Sequence, residues 1–261
     1  MFLIFTQIQL KDIYLYSMGS GFSMAAMGLF DNKAIINNIL QLKRMTPISF
    51  VTIIKNRTKI RISHNNKIIE LCLFENNLRS LISLIQPSDQ WEFVIVDYES
   101  TDVNMSEFVK TLPKHDNLEF KVFTVKGTFD KGAGLNYGGS LATNPVVFFI
   151  DADMMIKTRD LLDDIETFVV QENKVVFPIC WSYKNPEHTE GWKRAGGTGN
   201  VVQKRETIIP YINNKKWGLE DIINYKHYVN IKMVHRTYYD QGFVHQWHPN
   251  EIKHIYYTDS T

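Results

Sequence analysis

Short runs of β-branched and aromatic residues alternate with amphipathic segments over most of the chain. This spacing predicts strands at Ser49–Ile54, Glu92–Val96, Glu119–Val125 and Val146–Ile150. The segments with helical periodicity are Ile68–Ile85, Met105–Leu112, Leu135–Ala142 and Thr158–Gln171. Strands that alternate with helices favour βαβ units around a mostly parallel sheet, so we expect an α/β protein with helices flanking a central sheet.

The two ends of the chain depart from this rhythm. Residues 1–46 combine an aromatic, glycine-containing stretch with a short amphipathic helix, and we expect them to form an appendage packed on the main domain. The main domain is then residues 47–261. Beyond about Val175 the pattern loosens into glycine-rich and aromatic segments, which favours a loop-rich, substrate-binding C-terminal half.

Charge and composition exclude several classes of protein. The chain has 29 Lys and Arg against 28 Asp and Glu, so it has no broad positive field for nucleic acid or an anionic membrane. The apolar start, Met1–Phe5, is shorter than the core of about 7–15 residues in a signal peptide or the about 20 of a membrane helix. Two cysteines cannot form a disulfide framework. We expect a cytoplasmic or otherwise soluble protein, and the many Asn, Ile and Lys residues suggest a bacterial or viral source.

Acidic side chains follow two of the predicted strands. Asp97 begins the segment DYESTD after the second strand, and Asp151 and Asp153 come directly after the apolar run VVFFI. Parallel sheets bind ligands beyond the carboxyl ends of their strands. At that edge, Asp151 and Asp153 could hold Mn²⁺ or Mg²⁺ against a diphosphate. The same triplet is also compatible with a solvated pair that caps the next helix.

Two histidines and two acidic residues near the C-terminus are further candidates. His245 and His248 are three residues apart, so a helix or tight turn would direct both imidazoles to one side as metal ligands. The alternative is a structural role beside neighbouring aromatic residues. Glu220 and Asp221 begin a predicted helix, where they could stabilise the helix dipole or supply a general base. Just before them, Trp217 offers a flat face for a sugar.

A glycine-containing loop completes the set of candidates. Lys131, Gly132 and Gly134 precede a helix that we expect to start near Leu135. Backbone N–H groups and a cation at a helix N-terminus can hold phosphate. The loop does not have the Gly-Lys-Ser/Thr ending of a Walker A motif, and an ordinary helix start is equally compatible with it.

Together, and in this order, these segments resemble the GT-A glycosyltransferases that use nucleotide sugars, especially the inverting β-galactosyltransferase and chondroitin-polymerase-like branch. The likeness runs from about Ser49 to Pro249 and is carried by FDKGAGLNYGG, FFIDADMM, WGLED and HQWHP. It implies a GT-A (Rossmann-like) domain. Residues 47–157 would form its nucleotide-binding half and residues 158–261 its acceptor and metal half.

The resemblance also implies a role for each candidate residue. The implied contacts to a UDP-sugar donor are Asp97, Phe129, Lys131, Asp151 and Trp217. The implied ligands of Mn²⁺ or Mg²⁺ are Asp153, His245 and His248. Glu220 would contact the acceptor, and Asp221 would be the general base. The segment Gly196–Asn200 corresponds to the place where the donor and acceptor sugars meet.

The function implied by the resemblance is transfer of a hexose or N-acetylhexosamine from a UDP-sugar to a glycan or other hydroxyl acceptor. The residues alone leave two alternatives open. A metal-dependent phosphohydrolase or nucleotidyltransferase could use Asp151 and Asp153, but it would not need Asp221 or the histidine pair. A non-catalytic nucleotide-sugar-binding module could keep the same fold without turnover.

Overall fold

A computed structural model describes residues 45–212 and 219–249 of the 261-residue chain. Almost all of the predicted appendage, residues 1–44, and the predicted donor contact Trp217 lie outside these residues. The strands are β1 (Ile48–Ile54), β2 (Ile60–His64), β3 (Lys67–Leu71), β4 (Trp91–Asp97), β5 (Leu118–Thr124), β6 (Val146–Phe149), β7 (Met154–Ile156), β8 (Val175–Val176), β9 (Cys180–Tyr183), β10 (Gly191–Arg194), β11 (Val201–Lys204), β12 (Val234–His235) and β13 (Phe243–His245). The helices are α1 (Leu73–Ile82), α2 (Met105–Phe108), α3 (Lys131–Leu141), α4 (Asp160–Ile165) and α5 (Leu219–Asn230).

The central sheet of the described chain has seven strands in the order β12-β8-β11-β6-β1-β4-β5. Strands β6, β1, β4 and β5 run parallel to one another, and β11 runs antiparallel to both of its neighbours. Every residue of β4 and β6 is buried, as expected for strands covered on both faces. The predicted α/β fold with a mostly parallel central sheet is therefore confirmed.

The prediction of a helix over Ile68–Ile85 is wrong in its first part. Strand β3 occupies Lys67–Leu71 and pairs antiparallel with β2, and α1 begins only at Leu73. The hairpin turns through Asn65 and Asn66, whose φ angles of 50° and 59° suit a tight β-turn. Ile60 and Leu71 pair across this hairpin at the end next to α1. Ile60 and Ile62 before the two asparagines, and Ile69 and Leu71 after them, are spaced two apart, and this period-two pattern was the signal for a hairpin.

Helix α3 begins earlier than the sequence suggests. It starts at Lys131, and the Asp130 side chain caps it by accepting a hydrogen bond from the Ala133 N–H at 2.9 Å. The glycines therefore lie inside the helix rather than in a loop before it. A Cβ atom on Gly138 would lie 2.5 Å from Cγ1 of Val51 in β1. The absence of side chains lets α3 pack directly against the central sheet, beside the carboxyl ends of its strands.

Two other predicted helices are present but not regular along their whole length. Helix α2 continues as a 3-10 turn at Val109–Thr111, and α4 continues as a π-helical segment at Glu166–Gln171. No helix in the described part of the chain has the length and apolar content needed to cross a membrane.

A second sheet brings the C-terminal segment to the edge of the first. Its four strands are ordered β10-β9-β13-β7, with β13 parallel to β9 and antiparallel to β7. The register places His245 opposite Met154, the residue after Asp153. The C-terminal half thus combines its loops with short strands, and one of these strands carries a candidate ligand to the end of β6.

Candidate functional site

A cavity of about 570 Å³ opens beside the carboxyl ends of β1 and β6. The predicted site residues that line it are Phe129, Lys131, Asp151, Asp153, Asp221, His245 and His248. They come from α3 and the residues just before it, the segment after β6, the start of α5 and the C-terminal segment. The fold therefore gathers most of the predicted residues in one place, although they are spread over more than a hundred positions.

Two predicted site residues do not line this cavity. Asp97 is buried at the end of β4, where its carboxylate accepts a hydrogen bond from the Ser100 N–H at 3.0 Å, and burial raises the pKa of Asp97. Glu220 is only 2% exposed, and neither of its carboxylate oxygens has a hydrogen-bond partner among the described residues. Burial, and then the neighbouring Asp221, raise the pKa of Glu220. Both side chains are buried, and neither is among the residues that line the cavity.

Asp153, His245 and His248 form a cluster that could hold a metal ion. One ligand atom from each lies within 4.8 Å of the others. Oδ2 of Asp153 is 3.2 Å from Nε2 of His248 and 3.6 Å from Nε2 of His245. Burial would raise the pKa of Asp153, but the two imidazoles outweigh it and hold that pKa well below its usual range. His245 is the last residue of β13, and His248 lies in the segment that follows it. The two imidazoles are therefore brought together without a helix.

The other ring nitrogen of each histidine has a hydrogen-bond partner. Nδ1 of His245 is 3.1 Å from the hydroxyl of Ser182, and Nδ1 of His248 is 3.1 Å from the carbonyl oxygen of Pro249. Such contacts fix the orientation of a ligating imidazole and direct its remaining nitrogen to the ion. One carboxylate oxygen and two imidazole nitrogens suit a divalent ion such as Mn²⁺. The residues present therefore fit the metal that the resemblance implies.

Lys131 joins two carboxylates on the other side of the cavity. Its Nζ atom lies 3.0 Å from Oδ1 of Asp151 and 3.1 Å from Oδ2 of Asp221. Burial alone would lower the pKa of Lys131, but these carboxylates outweigh it and raise that pKa well above its usual range. The side chain thus stays charged and ties the end of the central sheet to the first turn of α5.

The glycine-rich segment before β11 closes over these charges. The side-chain oxygen of Asn200 accepts a hydrogen bond from the Asp151 N–H at 2.8 Å. A Cβ atom on Gly199 would lie 2.9 Å from Oδ2 of Asp151 and 3.0 Å from Oδ2 of Asp221. A side chain at this position would crowd both carboxylates, so Gly199 belongs to the site through its backbone.

Three amide side chains behind the candidate metal ligands, those of Asn76, Asn77 and Gln246, were not predicted from the sequence. Asn77 and Gln246 are almost completely buried, and Asn76 is half-buried. Asn76 and Asn77 lie on α1, in a segment that reads as an ordinary amphipathic helix. No motif marks them, because their partners lie far away along the chain.

Residues 64–243 match glycosyl transferase family 2. Chondroitin sulfate N-acetylgalactosaminyltransferase 1 of Mus musculus and of Homo sapiens are each 23% identical to the chain over 202 residues. These matches cover 67% of this chain but only 38% of the mouse protein and 37% of the human protein. The chain thus spans less than two-fifths of the length of these curated relatives. The resemblance to the chondroitin-polymerase-like branch is therefore confirmed as a similarity to these transferases.

Solved structures with the same fold include S. aureus TarS 1–349, with a TM-score of 0.58 and 16% identity over 77% of this chain and 60% of TarS. The complex of TarS 1–349 with UDP-GlcNAc matches equally well and covers 78% of this chain and 59% of that one. Mannosyltransferase PcManGT from Pyrobaculum calidifontis, in complex with GDP-Man and Mn²⁺, has a TM-score of 0.56 and 15% identity, with coverage of 82% and 60%. These likenesses show the fold. The family match spans most of the chain, and the chain is therefore a member of glycosyl transferase family 2 with the GT-A fold that the resemblance implied.

Proposed function

We propose that this glycosyltransferase is metal-dependent and inverting, and that it moves a hexose or N-acetylhexosamine from a UDP-sugar to a hydroxyl of a glycan or other acceptor. The observation that carries the proposal is that one cavity holds both a carboxylate–imidazole ligand set, around Asp153, and a separate carboxylate, Asp221. A phosphohydrolase would need the metal ligands but not the separate carboxylate of Asp221. A binding module needs neither a general base nor a lysine that holds it.

Several features support a nucleotide-diphosphate donor in this cavity. The TarS structure contains UDP-GlcNAc and the mannosyltransferase contains GDP-Man with Mn²⁺. Phe129 lines the cavity, and its ring packs edge-on against Tyr98 at 5.2 Å, which makes an apolar wall for a base. Lys131 and Asp151 would face the diphosphate and ribose. Asp97 would contact the uracil after a local rearrangement, because its carboxylate now bonds to Ser100.

Asp153, His245 and His248 would hold the ion. A bound Mn²⁺ or Mg²⁺ would act as a Lewis acid that offsets the negative charge developing on the leaving diphosphate. Residues 47–157 would form the nucleotide-binding half and supply Asp153, and residues 158–261 would form the acceptor and metal half and supply the histidines. The two halves meet where β13 pairs with β7.

Asp221 would remove the proton of the attacking hydroxyl. The Lys131 ammonium holds its Oδ2 atom, whereas its Oδ1 atom has no hydrogen-bond partner among residues 45–212 and 219–249. One oxygen is thus oriented by Lys131, and the other, which is buried, would take the proton once a shift at the start of α5 brings it to the acceptor. A general base of this kind contributes about 10²–10⁴-fold to the rate. Attack in line with the leaving group on an α-linked donor gives a β-linked product.

Two further residues have proposed roles next to the base. Trp217, which lies outside the described residues, would contact the donor and help to exclude water, since hydrolysis is the competing reaction. Glu220 would approach the acceptor only if the start of α5 shifts, because its carboxyl group is buried.

A panel of nucleotide sugars, assayed for Mn²⁺-dependent UDP release with and without glycan acceptors, tests the proposal. Asp221→Asn should bind UDP as the wild type does and lose about 10²–10⁴-fold in transfer. Asp163→Asn, at an exposed position on α4, is the matched control and should keep full activity. Net phosphate release or formation of a nucleoside triphosphate would favour the phosphohydrolase or nucleotidyltransferase. UDP binding without turnover on any acceptor would favour the binding module.

A further inference from the structure

We propose that Asn76 and Asn77 of α1 are positioning residues for the metal site, and that Asn76 acts through Gln246 to set the spacing between Asp153 and the two histidines. The proposal rests on the proposed metal dependence, and it assigns a task to residues that touch neither the ion nor a substrate. Two consecutive side chains on one helix contact the two segments that carry the ligands.

Gln246 connects the histidine segment to its surroundings. It lies between the candidate ligands His245 and His248 and is 1% exposed. Its side-chain amide donates to the carbonyl oxygen of Leu73 at 2.8 Å and accepts from the amide of Asn76 at 2.8 Å. Its backbone N–H donates to the carbonyl oxygen of Asp153 at 2.9 Å. Gln246 is therefore held by α1 on one side and by the residue that carries the carboxylate ligand on the other.

Asn77 makes the equivalent contact to the acidic segment. Its side chain is fully buried, and its amide donates to the carbonyl oxygen of Asp151 at 3.2 Å. Neighbouring positions on α1 thus hold the backbone before Asp153 and the side chain between the two histidines. Because metal affinity depends on ligand positions to within about 0.5 Å, small movements of either segment would open the site.

The same contacts argue against a purely structural role for Asn76. An amide pair buried away from water stabilises a fold, since breaking it leaves groups unpaired at a cost of about 1–3 kcal/mol. Asn76 is half-buried at the start of α1, so water can replace its hydrogen bond when the side chain is removed. Gln246 would then keep the Leu73 contact but lose the one that fixes its rotation. The stability of the chain would change little, whereas the histidine segment would gain freedom.

Asn76→Ala in the full chain tests this, with Mn²⁺ affinity measured by electron paramagnetic resonance of the free ion, without substrate. We expect a Kd for Mn²⁺ about 10–100-fold weaker than that of the wild type, as is typical when a residue behind a metal ligand is removed. Transfer should recover at saturating Mn²⁺. Asn117→Ala is the matched control, because its side-chain amide also links two segments that are distant in the sequence. This amide donates to the carbonyl oxygens of Gln86 and Asp89, each at 2.8 Å.

Asn76→Leu keeps the shape of the side chain without its hydrogen bonds and should weaken Mn²⁺ binding to the same degree. Wild-type Mn²⁺ affinity in either Asn76 variant overturns the positioning role and leaves the proposed metal site standing. An equal loss of affinity in Asn117→Ala also overturns it, because the effect would then be general. A wild-type chain that binds no Mn²⁺ overturns the metal site itself, and the positioning role with it.

Discussion

The ammonium nitrogen of Lys131 lies 3.1 Å from a carboxylate oxygen of Asp221, although 90 residues separate the two along the chain. The same nitrogen lies 3.0 Å from Asp151, so one cation connects the donor side of the cavity to the proposed base. Each carboxylate thereby has a defined orientation before any substrate arrives.

Replacing Lys131 by Met should therefore affect both stability and turnover. Breaking a buried ion pair by removing one partner costs about 3–5 kcal/mol, and we expect a lower Tm and at least a tenfold lower kcat for UDP release. Lys131→Arg should recover part of the activity, because it keeps the charge. Lys110→Met, at an exposed position, is the control and should match the wild type in both measurements. Wild-type kcat in Lys131→Met would rule out a role for this cation.

The two candidate histidine ligands should not be equivalent. The His248 side chain is only 3% exposed and its Nε2 atom is closer to Asp153 than that of His245, whose side chain is 14% exposed. We expect His248→Ala to raise the Mn²⁺ concentration for half-maximal activity by at least about tenfold, and by more than His245→Ala does. Titration of UDP release with Mn²⁺ measures this, with the exposed His115→Ala as control. Indifference of both variants to Mn²⁺ concentration would contradict the ligand assignment.

Gly199→Ala should change the position of the Asp221 carboxylate, the proposed base, and leave the carboxylate itself in place as a chemical group. The added methyl group would lie 3.0 Å or less from carboxylate oxygens of both Asp151 and Asp221, so one of them must move. Because a shift of about 1 Å at a reacting group can lower a rate about 100-fold, we expect a marked fall in kcat with little change in Tm. On Gly196 the same methyl group meets no atom within 4 Å, so Gly196→Ala should lose far less. Equal kcat values for the two variants would show that crowding at residue 199 is unimportant.

Glu92 should control the acid stability of the fold. Burial would raise its pKa, but hydrogen bonds from Lys121, Ser49 and Thr143 outweigh burial and lower that pKa to about 2. An unfolded glutamate titrates near pH 4.3, so the stabilisation is fully present above about that pH and is lost as the pH falls towards 2. Its size is on the order of 3 kcal/mol.

Urea unfolding at several pH values between 7 and 2 measures this effect. We expect Glu92→Gln to be less stable than the wild type at pH 7 and to lose less stability on acidification. Glu119→Gln is the matched control, because Glu119 also faces Lys121, at 3.4 Å, but its side chain is 65% exposed. Parallel stability curves for the wild type and Glu92→Gln would contradict the prediction.

The strand ends were predictable because parallel strands place their carboxyl ends at one edge of a sheet. Asp151 and Asp153 follow a strand that is buried on both faces, and a run such as VVFFI predicts that burial directly. The helix start at Lys131 was missed because glycines usually mark loops. Here Gly138 serves close packing of a helix on β1, and that contact depends on the tertiary structure.

The amide contacts behind the candidate metal ligands were not predictable from the sequence. Asn76 and Gln246 are 170 residues apart, and an asparagine on an amphipathic helix is typical of a solvated face. Adjacent carboxylates present the same difficulty. Glu220 and Asp221 differ in their access to the cavity because the direction of α5 buries the first and presents the second.

Strand β13 is the last strand along the described chain, yet it lies in the interior of its sheet, between β9 and β7. The sheet therefore cannot be completed until residue 245 has been synthesised and β13 inserts between those two strands. The three candidate ligands can meet only after this final insertion. A polypeptide that ends before residue 245 would therefore have Asp153 without the two histidines that complete the candidate metal site.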